Sequence, residues 1–186
     1  MIRDAERTRK RLLEAATAEF AELGIAGARV NRIAEVAGCN KAMLYAYYGS
    51  KDQLFDAVFT AHVAEFLERV PFDAADLPGY AGRLHDYFEE NPHAQRLAVW
   101  YRLERPDSAH LDAVVGVNRD RLADLASAQA DGTLPDHYPP AALLALVQAV
   151  CTSWSSMNPE FDALAPAGRE QRRAVVVDAV RRLIAG

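Results

Sequence analysis

Apolar positions recur every three or four residues along most of this chain, and strict alternation is scarce, so the pattern predicts helices and few strands. Residues 5 to 23 place Leu13, Ala16, Phe20 and Leu23 on one stripe, with Arg3, Arg7, Lys10 and Arg11 toward the other side and Gly24 as the stop. Ile33, Ala34, Val36 and Ala37 give a short second helix one apolar side, and Leu44 with Tyr48 does the same for a third. Between these two lies Gly38-Cys39-Asn40. Gly38 can take the positive φ that ends a helix, and Asn40 can accept a hydrogen bond from a free N–H at the start of the next. A two-helix hairpin buries too little alone, so the first helix is expected to close a three-helix core with Ile33, Val36, Leu44 and Tyr48. Cys39 reads as core filler.

Ser50-Lys51-Asp52-Gln53 has the S-x-x-Q form of a capping box, which starts a fourth helix at Lys51. Its apolar face, from Leu54 and Phe55 through Val58, Phe59, His62, Val63, Phe66 and Leu67 to about Val70, is too broad to serve the small N-terminal core alone. Pro71 ends it, and FDAADLPGY reads as a linker. From Tyr80 onward the pattern is helical, with breaks at Asn91-Pro92, Arg105-Pro106-Asp107, Asp131-Gly132 through Pro140, and Asn158 to Gly168. One stripe is Leu84, Tyr87 and Phe88, the next Leu97, Trp100 and Tyr101, and a longer one Leu111, Val115, Asn118, Leu122 and Leu125. Val175-Val176-Val177 permits a short strand, but its setting favours a helix through Ala185. The whole reads as all-α. A three-helix unit with a helix-turn-helix over residues 1–50 is followed by a helical unit over 51–186.

The helix spanning about 140 to 157 is apolar on two sides, Leu143, Leu146, Val147, Val150 and Trp154 on one and Leu144, Ala145, Ala149 and Cys151 on the other. Such a helix needs two partners. Either it is a central core helix, or it meets its own copy in a two-fold four-helix bundle. The second option assigns a homodimer interface to Leu144, Val147, Val150 and Cys151, with Val176, Val180 and Leu183 from the last helix.

Charge adds a direction. The formal net charge is -5, yet residues 1 to 51 hold nine lysines and arginines against six acids, a balance of +3, and the other 135 residues stand at -8. A positive head joined to an acidic body suits a protein that meets nucleic acid with one end. In the turn-and-helix reading, the third helix offers Lys41, Ala42, Tyr45 and Tyr47 to a DNA major groove. At 186 residues the chain is long enough to bury roughly 70% of its unfolded surface. Its two cysteines, Cys39 and Cys151, lack metal or CxxC spacing, which favours a reducing cytoplasm. No apolar run nears the roughly 18 residues that span a bilayer, and the charged N-terminus has no signal core.

Catalytic chemistry finds little support. No GxSxG, GxxxxGK, HExxH or GxGxxG occurs, and the five histidines lack metal-site spacing, so no catalytic residue, metal or cofactor is assigned. A small-molecule pocket needs apolar walls and a few polar groups. The candidates are Phe59, His62, Phe66, Tyr87, Phe88, Trp100, Tyr101, Asn118 and Trp154, although most of these aromatics serve equally well as core.

TRKRLLEAATAEFAELGIAGARVNRIAEVAGCNKAMLYAYYGSKDQLF, residues 8 to 55, resembles the TetR family of one-component transcriptional regulators. The elements that carry it are Phe20 and Gly24, Ile33-Ala34, Ala37-Gly38, Leu44-Tyr45 and Ser50-Lys51. The resemblance implies a DNA-binding regulator, most often a repressor released by a small molecule. It also implies a near-palindromic double-stranded operator, a homodimer and an unnamed effector. By position, Asn31, Lys41, Ala42 and Met43 would face bases, while Tyr45, Tyr47 and Lys51 would grip phosphate. Arg29 and Asn40 join them at the ends of this surface. The family often has Thr or Ser where Arg29 and Met43 stand, so helix 2 is capped either from Arg29 or from Asn31. The alternatives are a helical enzyme and a small-molecule-binding interaction module that binds no operator.

Overall fold

The computed structural model describes residues 2–105, 111–154, 159–164 and 167–185. Among these residues ten α-helices and one 3-10 turn account for the regular structure, and no strand occurs. The helices are α1 (Ile2–Gly27), α2 (Val30–Val36), α3 (Lys41–Tyr48), α4 (Lys51–Arg69), α5 (Leu77–Glu90), α6 (Pro92–Glu104), α7 (Leu111–Ala130), α8 (Pro140–Thr152), α9 (Pro159–Leu164) and α10 (Arg169–Leu183).

The chain packs as two compact units. One comprises Met1–Glu65 with His93–His110, and the other Phe66–Pro92 with Leu111–Gly186. Residue 50, where the sequence suggests a division, marks the start of α4. The first compact unit extends through Glu65 and takes in α6 from His93 onward.

In the first unit α1 buries Leu12, Ala15, Ala16, Phe20 and Ala21 against Ile33, Ala34 and Ala37 of the α2 region, Leu44 of α3, and Leu54, Phe55 and Val58 of α4. Each large side chain buried here contributes on the order of 1.5–3 kcal/mol. Two expectations about this core are corrected. The helix 1 stripe runs through Leu12 in place of Leu13, which is half-buried, and Val36 is 68% exposed. The buried arc of α2 is set by Ile33, Ala34 and Ala37, and Val36 falls outside it on a helix of seven residues. Tyr48 is half-buried, with its hydroxyl donating to Arg9 O at 3.4 Å.

Phe20 meets Phe55 edge-on at 5.2 Å, and Phe59 stacks on Tyr101 at 4.0 Å, so α6 shares an aromatic core with α1 and α4. Gly24 has φ 70, which breaks α1 before its last turn. A side chain there would also collide with Trp100 and Glu104 of α6.

In the second unit α5 packs against α8 and α10, and α7 packs on α8. The buried set is Leu77, Tyr80, Ala81, Leu84 and Tyr87 of α5, Leu125 and Ala128 of α7, Leu143, Leu144, Val147 and Cys151 of α8, and Val176 and Val180 of α10. Charge pairs line the α5–α10 seam: Arg172 to Glu89 at 2.6 Å, Arg173 to Asp86 at 2.7 Å and Arg169 to Glu90 at 2.7 Å.

Three boundaries differ from the sequence reading. α5 begins at Leu77 rather than Tyr80, because the Asp76 carboxylate accepts the Gly79 N–H at 2.8 Å and Pro78 sits comfortably in a first helical turn. α8 stops at Thr152, and the six-residue α9 lies inside the expected break between Asn158 and Gly168. Asn158, Pro106, Asp107 and the side chains of Arg3 and Leu111 lie outside the described residues.

Candidate functional site

The turn between α2 and α3 follows from three residues. After α2 the chain passes through Ala37 to Gly38 at φ 66; Gly38 N–H donates to Glu35 O and Cys39 N–H to Ala34 O, both at 3.0 Å. That pair of bonds is a Schellman ending, and the left-handed residue it needs is a glycine. Asn40 then caps α3, its side chain accepting the Met43 N–H at 2.8 Å. Cys39, expected as core filler, is half-buried at the turn.

Helix α2 is capped from elsewhere in the sequence. It begins at Val30, with Arg29 in extended geometry and no capping bond from its own side chain, so Asn31 lies within the helix and is not its cap. The Arg29 N–H instead donates to Glu19 Oε1 of α1 at 3.0 Å, and Glu19 Oε2 pairs with Arg32 Nε at 3.2 Å. A carboxylate at a helix N-terminus also opposes the helix dipole favourably. Glu19, 5% exposed, is a positioning residue that sequence reasoning missed. Its one signal was an acid in line with the apolar stripe of helix 1.

With Leu44 held in the core, α3 turns Lys41, Ala42, Met43 and Tyr45 outward. Arg29, Asn31 and Asn40 are exposed beside them, while Tyr47 and Lys51 are half-buried. Lys41 Nζ stands 5.7 Å from the Tyr45 ring centre, a cation–π contact that gathers two of the candidate DNA contacts. Lys51 Nζ donates to Ala26 O and Ala28 O, each at 3.3 Å, and so ties the end of α1 to the start of α4. At the other end of the head, the Arg9 guanidinium lies 5.9 Å from the Tyr48 ring centre. Burial raises the Tyr48 hydroxyl pKa, against the lowering effect of Arg9.

Helix α6 grips the broken end of α1. Arg96 Nε donates to Ala21 O at 2.6 Å and Trp100 Nε1 to the same carbonyl at 3.2 Å; Glu104 accepts the Ala26 N–H at 2.9 Å. Arg105 adds pairs to Asp52 at 2.8 Å and Asp56 at 3.6 Å on α4.

The nine candidate effector residues divide between the two units. Phe59, His62, Trp100 and Tyr101 belong to the first, where Phe59 and Tyr101 stack, Trp100 bonds to α1, and His62 Nε2 lies 3.2 Å from Thr17 Oγ1. Burial lowers the His62 pKa. Phe66, Tyr87, Phe88, Asn118 and Trp154 belong to the second unit, and there the structure brings Phe66, Tyr87 and Phe88 into one cluster with centroids 5.3 to 6.2 Å apart. Phe72, Tyr80 and Arg121 join the aromatic surroundings without having been singled out in the sequence.

Five of the seven expected interface residues are buried within the single chain. Leu144, Val147, Cys151, Val176 and Val180 leave little surface to a partner, since α8 packs against α5, α7 and α10 and α10 packs against α5 within the chain. Val150 and Leu183 are half-buried, and the apolar surface α8 leaves uncovered is Ala141, Ala142, Ala145, Leu146 and Ala149. The buried Cys151 thiol has its pKa pushed up to about 12 by desolvation, which keeps it protonated.

Comparison with known proteins gives this geometry a lineage. Residues 12–58 match the family model described as bacterial regulatory proteins, tetR family, and residues 76–182 match the tetracyclin repressor-like C-terminal domain. The HTH-type transcriptional repressor SCO4008 of Streptomyces coelicolor is 35% identical over 188 residues, covering 98% of this chain and 97% of the relative. This chain belongs to the TetR family. The crystal structure of SCO4942, also from Streptomyces coelicolor, is 38% identical with a TM-score of 0.86, covering 95% of this chain and 97% of that one. NicS of Pseudomonas putida, an HTH-type transcriptional repressor, is 35% identical over 96 residues, 47% of this chain and 45% of its own. As a TetR-family member the protein is a DNA-binding transcriptional regulator, with the helix-turn-helix as its DNA-reading part and an all-helical body. Its relatives' names point to regulation rather than catalysis. No helix among the described residues of this TetR regulator is long and apolar enough to cross a membrane.

Proposed function

We propose that the protein is a homodimeric repressor that occupies a near-palindromic operator and leaves it when a small molecule enters its second unit. The observation that carries the reading is the outward set on α3, Lys41, Ala42, Met43 and Tyr45, behind a buried Leu44. Lys41 supplies donors for base edges, and Met43 and Ala42 supply small apolar surfaces for thymine methyl groups. Asn31 joins this base-facing set, while Arg29, Asn40, Tyr45, Tyr47 and Lys51 hold the backbone. Two such helices in successive major grooves stand about 34 Å apart or somewhat more. Full-length similarity to a protein named as a repressor supports the direction of control.

Release requires the effector to favour a conformation whose reading heads no longer fit the operator, a coupling of about 1 to 3 kcal/mol in typical cases. The chain offers two carriers. Helix α4 continues from the first unit into the second after Glu65, and α6 begins at Pro92 in the second and holds the end of α1 in the first. Among the candidate effector residues, Phe66, Tyr87, Phe88, Asn118 and Trp154 are the ones that belong to the second unit.

The test is selection of bound DNA from random duplexes, repeated with candidate ligands present. Recovered sites with two related half-sites, lost on addition of a ligand, support the whole reading. Absence of any enriched site would favour an interaction module, and turnover of a ligand would favour an enzyme.

A further inference from the structure

Arg121 on α7 is 6% exposed and has no acidic partner or hydrogen bond among the described residues. Its guanidinium carbon instead stands 5.4 Å from the Phe66 ring centre, 5.5 Å from Phe72 and 5.7 Å from Tyr80. Tyr80 is fully buried, and its hydroxyl has no hydrogen-bond partner among the described residues. All four residues belong to the second unit.

These facts leave a nearly buried cation without a counter-charge and a buried hydroxyl without an acceptor among the described residues. Ring faces offset part of the cost of burying a guanidinium, but they accept none of its five N–H donors in hydrogen bonds of ordinary strength. An unpaired buried hydroxyl carries a desolvation cost, and a buried charge a larger one. One occupant answers both defects: a planar oxyanion, which takes two parallel N–H bonds from an arginine and a third from the hydroxyl. A cation answers neither, since the ring faces already hold one.

We propose that Arg121 and Tyr80 form the anchoring end of the effector site, and that the effector is an apolar organic acid. Its carboxylate receives the Arg121 donors and the Tyr80 O–H, and its body lies among Phe66, Phe72 and their neighbours. This rests on the reading that the second unit takes the effector.

The test screens a panel of straight-chain monocarboxylates from butanoate to hexadecanoate, with benzoate and phenylacetate, each beside its uncharged amide and its primary amine. Thermal melting and isothermal titration read binding to the full-length protein, and mobility shift on a selected duplex reads DNA occupancy separately. At least one acid should bind and raise the melting temperature, with its amide at least tenfold weaker and the amine without effect. Arg121→Met should lose acid binding by tenfold or more, and Arg121→Lys should restore part of it. Tyr80→Phe is the decisive variant, because it deletes an unpaired hydroxyl. It should leave the melting temperature of the free protein unchanged or higher, yet weaken the acid several-fold. No acid in the panel binding, acids and amides binding equally, or Tyr80→Phe binding the acid as well as the parent would each overturn the assignment. Loss of DNA binding by the parent protein without ligand would instead overturn the repressor reading.

Discussion

Glu19 and Arg29 meet across the first unit: the Arg29 N–H donates to a buried carboxylate at 3.0 Å, and this bond caps a helix whose own first residues cannot. The same carboxylate faces Arg32 at 3.2 Å, so α1 sets both the start and the orientation of α2. Glu19→Gln keeps the shape and one acceptor but removes the charge. It should lower stability by about 1–2 kcal/mol in urea denaturation, since hydrogen bonds to charged groups are worth roughly twice as much as neutral ones. Operator affinity should fall with it, as α2 loses its fixed entry. A variant as stable as the parent would show that the cap is dispensable.

Lys51 has two tasks to separate. Its ammonium holds the carbonyls of Ala26 and Ala28, while its place at the α4 N-terminus makes it a phosphate contact in the proposed complex. Lys51→Ala should weaken binding to all DNA sequences alike and reduce the magnitude of the salt slope by about one unit. Lower stability with an unchanged slope would leave it only the carbonyl role.

Lys41 is exposed and makes no ion pair among the described residues beyond its contact with Tyr45. Lys41→Ala should therefore leave thermal stability within about 0.5 kcal/mol of the parent, as is usual for a surface site. The selected half-site should change at one or two positions. Identical selected sites for variant and parent would remove Lys41 from the base-reading set.

How much of this could be read from the chain depends on how local the cause is. Gly38 and Asn40 act within a few residues of themselves, and the turn they make is the one the sequence suggested. The Ser50 half of the capping box is present, with the Gln53 N–H donating to Ser50 Oγ at 3.0 Å. The Glu19 cap joins residues ten apart through tertiary packing, and no local pattern announces it. Periodicity placed Val36 and Leu13 in the core because it marks an apolar side without fixing its centre to better than a residue. The interface assignment meets a related limit: a helix apolar on two sides does not say which side its own chain covers, and Val147 and Cys151 are buried within this one.

Burial lowers the pKa of two histidines, His62 in the first unit and His85 in the second. For His62 the nearby Glu65 opposes the shift and His93 reinforces it; for His85, Glu89 and Asp86 oppose it while Arg172 and Arg169 reinforce it. In the unfolded chain each would take a proton near its ordinary value of 6.5, before the folded form does. Stability is thus full above that value and is lost as pH falls from 6.5 through the folded value. Urea midpoints from pH 8 to pH 5 should decline, and His62→Gln with His85→Gln should flatten the part of the decline that begins near 6.5. A double variant with the parent's profile would assign the pH response to other groups.

In the proposed homodimer, the uncovered side of α8 is where a second copy would dock. Leu146 is 39% exposed among the exposed Ala142, Ala145 and Ala149, and Val175 of α10 is exposed as well, whereas Val147 is buried within the chain. Small residues around one larger apolar side chain allow two helices to approach closely, as a two-fold bundle requires. Leu146→Arg should sediment as a monomer with an unchanged helical circular dichroism spectrum, and it should bind the operator far more weakly because two linked half-sites become independent ones. Val147→Arg should instead lose the fold, since it places a charge in the core against α5. If Leu146→Arg remains a dimer, the interface lies on another surface. If Val147→Arg folds and only dissociates, then α8 turns its other side to the partner, and the sequence-based assignment of Val147 and Cys151 returns.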